Sequence, residues 1–171
     1  MTRAALLAQE LVARATEKGL TLGTAESLTA GLIASTIAGV PGASRALLGG
    51  VVSYDPEVKH ALLRVSRAVI DGVGVVSDPC ARQMALGARA ALHADIAVSA
   101  TGVAGPAGGT PETPVGTVFL GLATEDGVRV TRCRFRGGRQ TVRRRAAEEA
   151  LALLLQAVEA ARGHQIAIES K

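Results

Sequence analysis

The sequence predicts an α/β domain, a layered α/β/α arrangement with a mixed sheet of about five strands flanked by helices. Three observations predict it. Apolar residues recur at helical spacing near both ends of the chain, and short apolar runs lie between them. Gly, Pro or an Asp-Pro pair closes most of these segments. Helices and strands alternate early and a hairpin comes late, an order that favours a sheet with parallel and antiparallel parts.

The elements follow in order. Leu6, Leu7, Leu11 and Val12 mark the inward stripe of a first helix over 3–18, which Gly19 ends. A strand over 20–25 leads through a turn at 26–29 into a second helix over 29–39, stopped by Val40-Pro41-Gly42. A strand over 46–53 precedes Asp55-Pro56, which read as the N-cap and first residue of a third helix. Residues 65–76 form a connector with a short helical turn, and Ser77-Asp78-Pro79 opens a helix to about residue 93. A strand over 95–101 runs into a Gly- and Pro-rich loop over 102–114. Strands over 115–123 and 128–135 are joined by the turn Glu125-Asp126-Gly127. A last helix covers 139–162. Residues 1–162 read as one domain without repeat or linker, and 163–171, lacking a helical stripe, as a mobile tail.

Composition narrows the function classes. The 171 residues suffice for one domain with a proper core. Hydrophobic residues make up 48% and aromatics only 2%, so the core is aliphatic. A net charge of +4 weakly favours anionic partners. One Tyr, two Phe and no Trp give no stacking platform for bases, so nucleic acid is not an expected partner. Cys80 and Cys133 stand apart from other ligand types; reduced thiols in a cytoplasmic protein are expected over a disulfide. No apolar run reaches the roughly 20 residues that span a bilayer, and the first segment is amphipathic rather than a signal peptide. No membrane partner is expected. A small α/β enzyme of this kind is expected to be a homo-oligomer.

His60, His93 and His164 are isolated, so no metal site is expected. The glycines at 102, 105, 108 and 109 fit neither a dinucleotide fingerprint nor a P-loop. Three segments remain. In Thr24–Gly31, Ser27 sits where a strand gives way to a helix, beside N–H groups suited to an oxyanion or phosphate. The plain alternative is that Ser27 or Thr29 caps that helix. In Val52–Lys59, Lys59 lies in the first turns of a helix, where the dipole and desolvation both disfavour its charged form. Such a lysine can serve a serine as general base; the alternative is a solvated surface lysine beside an interfacial Tyr54. In Ala100–Thr110, a strand ends in a glycine-dense loop that either lets backbone N–H groups approach a ligand or is a surface loop. Arg139 and Arg143 share a helix face at i, i+4; Arg139 reads as a phosphate ligand or as part of a solvated basic face. Arg132, Arg134 and Arg136 alternate along one strand face and are expected to keep an edge soluble.

The motifs AES-x-T-x-G at 25–31, VPG-x-S at 40–44, GGVVSY-x4-K at 49–59 and G-x-V-S at 74–77 stand in this order. TG-x-AGP-x-GGT at 101–110, PVGTV at 114–118 and F-x-G-x-R-x3-R at 135–143 follow them. Jointly, over about residues 5–160, they resemble the CinA C-terminal family, whose members include the nicotinamide-nucleotide amidases. The resemblance implies a stand-alone member that hydrolyses the carboxamide of nicotinamide mononucleotide to nicotinate mononucleotide and ammonia. The family's serine, tyrosine and lysine fall on Ser27, Tyr54 and Lys59. By that resemblance Ser27 attacks the amide carbon, Lys59 moves the proton, and Tyr54 orients or relays. Glu26, Thr29, Ala30 and Gly31 around the helix start, with Thr101, Gly102, Ala104 and Gly105 in the loop, are implied to hold the ligand. No metal or organic cofactor is implied.

The chain departs from the usual pattern at Leu28 and Ala30, where Cys and Gly are common, at Gly138 in place of Asp, and at Arg64 in place of Gly. Two rivals stand beside the amidase: a non-catalytic nucleotide-binding or competence-associated interaction module, and a Ser-Lys amidase for another amide.

Overall fold

The computed structural model describes residues 1–164. Twelve segments follow one another: α1 (Arg3–Lys18), β1 (Leu22–Glu26), α2 (Leu32–Ala38), a 3-10 turn (Ala43–Arg45), β2 (Leu47–Val52), α3 (Pro56–Leu63), a π-turn (Val69–Val73), α4 (Asp78–Leu92), β3 (Ile96–Gly102), β4 (Thr117–Thr124), β5 (Gly127–Arg134) and α5 (Arg139–Ala160). The expected α/β class and five-stranded mixed sheet are both present.

Two of the caps, Asp55 and Ser77, are those the sequence signals, and Thr2 adds a third. Thr2 Oγ1 accepts from Ala5 N, Asp55 from Glu57 N and Ser77 from Cys80 N, so three helices begin on side-chain caps. Gly19 ends α1 at φ 65°. The second helix is the exception. It starts at Leu32 rather than near residue 29, because Ala30 and Gly31 take φ values of 50° and 90° and turn the chain before helical geometry begins.

The sheet runs β2-β1-β3-β4-β5. β1 pairs in parallel with β2 and β3, and β4 is antiparallel to β3 and β5. On β2 the register against β1 shifts at Leu48, the extra residue between Leu47 and Gly49. The hairpin turn is the expected one, with Thr124 opposite Gly127.

β1, β3 and β4 are buried nearly throughout, which explains why they read as apolar runs without alternation. On one face Leu22, Ile96, Val98 and Leu120 pack against α1, α2 and α5 through Leu11, Ile33, Leu151 and Leu154. On the other, Ala25 and Ala97 meet Leu63, Cys80, Met84 and Ala88 of α3 and α4. The chain leaves β1 for β2 on one side and reaches β3 on the other, so β1 and β3 flank a topological switch point. Ligands in open α/β sheets bind outside the carboxyl ends of strands at such points.

Cys80 and Cys133 are both free thiols. Gly163 and His164, the first residues of the expected mobile tail, are held: His164 N donates to Lys18 O at 2.9 Å, and His164 Nε2 lies 2.9 Å from Asp95 Oδ1. Residues 165–171 of that tail lie outside the described residues.

Candidate active site

Ser27 follows β1 directly, and its N–H extends the sheet pattern by donating to Ala100 O of β3 at 2.9 Å. The side chain is half-buried at the switch point. Lys59 arrives from α3, which Asp55 and Pro56 start just beyond β2. Side chains on a helix lean toward its N-terminus, so Lys59 reaches back past the start of α3. Its Nζ lies 3.0 Å from Ser27 Oγ, 2.5 Å from Ser53 O and 3.3 Å from Tyr54 O. Lys59 is only 1% exposed.

Burial pushes the Lys59 amine below the usual lysine range; Cys80 and Asp55 oppose that shift without reversing it. A neutral amine has two N–H donors and one lone pair. In that form the carbonyls of Ser53 and Tyr54 take the two N–H groups and the lone pair faces the Ser27 hydroxyl. That is the arrangement a general base needs toward a serine nucleophile.

Glu26 departs from its expected ligand contact. Its carboxylate is fully buried and accepts from Ile33 N at 3.0 Å, Ala34 N at 2.8 Å and Thr24 Oγ1 at 3.1 Å. It is the cap of α2, delivered from the strand before it, and neither Ser27 nor Thr29 caps that helix. The helix-start N–H groups expected to bind an anion are therefore spent on Glu26. Other donors take their place. Among the described residues, the N–H groups of Leu28, Thr29 and Gly31 in the intervening turn meet no protein acceptor.

Arg143, which the sequence leaves on a basic helix face, fixes that turn. Its Nε donates to Leu28 O at 2.8 Å and its Nη2 to Thr29 O at 3.1 Å. A planar trans peptide with its carbonyl held by α5 points the Thr29 N–H the opposite way. The R-x3-R spacing at 139–143 was the available signal, but the reach of the second arginine is a tertiary fact.

Arg139 is neither a free surface charge nor an unengaged anion ligand. It donates to Gly105 O at 3.0 Å and to the Tyr54 hydroxyl at 2.7 Å. Tyr54 therefore touches Lys59 through its carbonyl only. Tyr54 is 56% exposed, and its phenol accepts from Arg139 rather than meeting the Ser27–Lys59 pair expected to receive it.

The loop residues separate. Thr101 is buried and donates its hydroxyl to Val75 O at 2.6 Å, so it ties β3 to the segment before α4 rather than presenting a donor to a ligand. Gly102 is required by its own neighbours, because a Cβ there meets Thr117 O at 2.6 Å. Ala104 is buried in the main core. Gly105 remains at the site, turned by a φ of 82° and held through its carbonyl. Thr29 is buried, and its hydroxyl and that of Ser53 have no protein partner.

Three of the departures have a visible consequence. Ala30 and Arg64 both adopt left-handed φ, at 50° and 57°, in places where glycine carries no such cost. Gly138 leaves α5 without a side-chain cap.

A cavity of about 460 Å³ opens at the opposite end of the sheet, between Asp95, the β4–β5 turn, and Arg162 and His164. No serine or lysine lines it, and the Ser27–Lys59 pair lies away from it, beyond the carboxyl end of β1. Among the described residues there is no group of three His, Cys, Asp or Glu side chains able to hold a metal, and no helix long and apolar enough to cross a membrane.

Known proteins share both sequence and fold. The family model of the CinA C-terminal domain matches residues 4–158. A CinA-like protein of Citrifermentans bemidjiense is 50% identical over 127 residues, 74% of this chain and 31% of its own length. The chain spans about a third of the length of the curated relatives it matches. The crystal structure of the competence/damage inducible protein CihA from Agrobacterium tumefaciens superposes with a TM-score of 0.89 at 35% identity, covering 93% of this chain and 97% of that one. The competence damage-inducible protein A of Klebsiella pneumoniae gives 0.88 at 31% identity, over 92% and 98% of the two chains. With the motifs, the sheet order and the coverage in agreement, the chain belongs to the CinA C-terminal domain family.

Proposed function

We propose that the chain is a serine-lysine amidase that hydrolyses the carboxamide of nicotinamide mononucleotide to nicotinate mononucleotide and ammonia. The observation that carries the reading is the 3.0 Å contact between Ser27 Oγ and the buried Nζ of Lys59. A lysine so placed has little structural use for its charge, whereas a nucleophile and its base require this distance.

The geometry and the family resemblance together support the following course of reaction. Lys59 Nζ takes the proton of Ser27 as Oγ bonds to the amide carbon. The oxyanion of the tetrahedral intermediate is met by N–H groups of the 28–31 turn, with Thr29 N aimed by Arg143. The protonated Lys59 gives its proton to the departing nitrogen, and ammonia leaves an ester on Ser27. Water then attacks that ester with Lys59 again as base; the protonated Lys59 returns its proton to Ser27 Oγ as the Ser27–carbon bond breaks, and the product leaves as the carboxylate, its acid proton passing to solvent. Arg139, at the mouth beside Tyr54 and Gly105, is placed to exchange its present acceptors for a phosphate.

Purified protein given nicotinamide mononucleotide should release ammonia, and Ser27→Ala should release none while still binding the nucleotide. Release from other carboxamides but not from this one would keep the Ser-Lys chemistry and move the substrate. No release from any amide by a folded protein that binds the nucleotide would make it a binding module.

A further inference from the structure

The cavity at the amino end of the sheet serves neither the catalytic pair nor the 28–31 turn. Protein interiors are close-packed, and few voids in them exceed a water molecule. This one holds about 460 Å³, within the roughly 300–1,000 Å³ of small-molecule pockets. Small side chains leave the space open. Ala157, Ala160 and Ala161, at and just past the end of α5, share one face at i, i+3 and i+4 and offer it only methyl groups. Ile96 at the start of β3, Leu122 in β4 and Leu20 complete the apolar lining.

The charged groups at its rim differ in what already engages them. Asp95 is saturated: Oδ2 accepts from Thr21 N at 2.8 Å and Thr21 Oγ1 at 2.7 Å, and Oδ1 lies 2.9 Å from His164 Nε2. Asp95, by hydrogen bond and charge, and then Glu125 hold the His164 imidazole above the usual histidine range. Asp126 is exposed at the β4–β5 turn. The guanidiniums are the reverse case. Arg89 of α4 donates Nε to Asp95 O at 2.9 Å, and among the described residues its two Nη groups meet no acceptor. Among the same residues, Arg129 of β5 and Arg162 beyond α5 enter no ion pair. Three separate elements thus bring open guanidinium donors to one apolar slot.

We infer that this cavity is a second binding site, for a small amphipathic carboxylate. The apolar body lies between the alanine face of α5 and Ile96 and Leu122, and the carboxylate is held at the rim by the guanidiniums of Arg89, Arg129 and Arg162. Planar guanidiniums pair with carboxylates through two parallel N–H donors, which fixes the orientation of the ligand as well as its charge. A cationic ligand would meet three arginines with only Glu125 and Asp126 to answer them. A nucleotide would set its sugar and phosphates against the alanine, isoleucine and leucine walls. β1 and β3 run from this end of the sheet to the other, so an occupant here does not touch Ser27. Binding involves no covalent step, and the inference is independent of the reaction proposed above.

Octanoate is the probe, with octanol and octylamine as its neutral and cationic counterparts of equal chain length. Titrated into the whole chain and followed by methyl NMR, octanoate should shift the Leu20, Ile96 and Leu122 signals with a Kd of roughly 0.1–1 mM. The Leu28 signal beside Ser27 should stay still. Octanol and octylamine should bind at least about fivefold more weakly. Arg89→Gln and Arg129→Gln should each raise the octanoate Kd by at least about fivefold, and Arg134→Gln, at the other end of β5, should leave it unchanged. Ala160→Trp, checked for folding by circular dichroism, should fill the slot and abolish binding with every charge intact. No shift of the Ile96 and Leu122 signals up to about 10 mM octanoate overturns the inference. Equal binding of the three probes, or an octanoate Kd indifferent to both Arg89→Gln and Arg129→Gln, overturns it too. Shifts at Leu28 in place of Ile96 would put the carboxylate at the catalytic pair and overturn it as well.

Discussion

Lys18 and Lys59 both spend their amines on backbone carbonyls, yet they end in opposite chemistry. Lys18 closes α1 and reaches the end of α5, where Val158, Glu159 and Ala161 carbonyls accept from its Nζ at 2.8, 2.7 and 2.9 Å. Three acceptors match the three hydrogens of an ammonium, and the carboxyl end of a helix favours positive charge. Lys59 sits near the amino end of α3, buried, with two carbonyls and one hydroxyl. The dipole and above all the desolvation disfavour its charged form, and its third partner is the Ser27 hydroxyl rather than a third carbonyl. The difference teaches that the lysine's role is set by the helix end it faces and by what its third position meets.

The sharpest way to break this comparison is to exchange each lysine for methionine. Lys59→Met should lower kcat for amide hydrolysis by at least about a thousandfold with little loss of stability, since methionine fits a buried site without a charge to desolvate. Lys18→Met should do the reverse, keeping the rate and losing about 1–2 kcal/mol of stability, read by urea unfolding. Equal losses of activity in the two variants would dissolve the distinction.

Next in size is Arg143→Ala. Releasing Leu28 O and Thr29 O should let the Thr29 N–H wander and cost roughly ten- to a hundredfold in kcat, with KM less changed. Arg139→Gln should instead raise KM more than it lowers kcat, because a phosphate remote from the amide contributes mostly uniform binding. If the two arginines shift the same parameter, the division between oxyanion turn and mouth is wrong.

The depressed Lys59 also predicts a pH dependence of stability. Unfolding returns it to the usual value near 10.4, so between the folded and unfolded pKa the unfolded chain binds more protons. Stability contributed by this group therefore rises with pH across that window, and below it the burial cost is fully present. Comparing wild type with Lys59→Met in urea as pH rises toward about 10 isolates the effect; parallel curves would contradict it.

The smallest effects concern the turn residues. Ala30→Gly and Arg64→Gly should each stabilise by up to about 1 kcal/mol, by removing left-handed strain. Gly138→Asp should add a few tenths by capping α5. Thermal melts resolve the first two, and a loss of stability in either would mean the side chain contributes more than the backbone costs.

Most of the fold could be read from the sequence because its signals are local. Asp55 and Ser77 announce their helices, and Gly127 its turn. The start of α2 could not be read, since Glu26 caps it from seven and eight residues upstream, through a side chain whose direction a fully buried strand does not reveal. Glu26 and Thr101, implied by the family resemblance as ligand contacts, instead turn to the α2 side and the α4 side of the sheet. The order of the motifs pointed to the segments whose Ser27 and Lys59 side chains meet. What Tyr54 bonds to, and the reach of Arg143 back to Leu28, depend on α5 crossing the sheet, which no local pattern encodes.

The most direct measurement is ammonia release from nicotinamide mononucleotide as a function of pH, with Ser27→Ala as the blank. The predicted result is release by the wild type alone, with a basic limb well below the ordinary lysine value of about 10.4 that vanishes in Lys59→Met. Activity surviving in Ser27→Ala, or a rate that climbs without a break to that value, would contradict a desolvated lysine acting as the base of this serine.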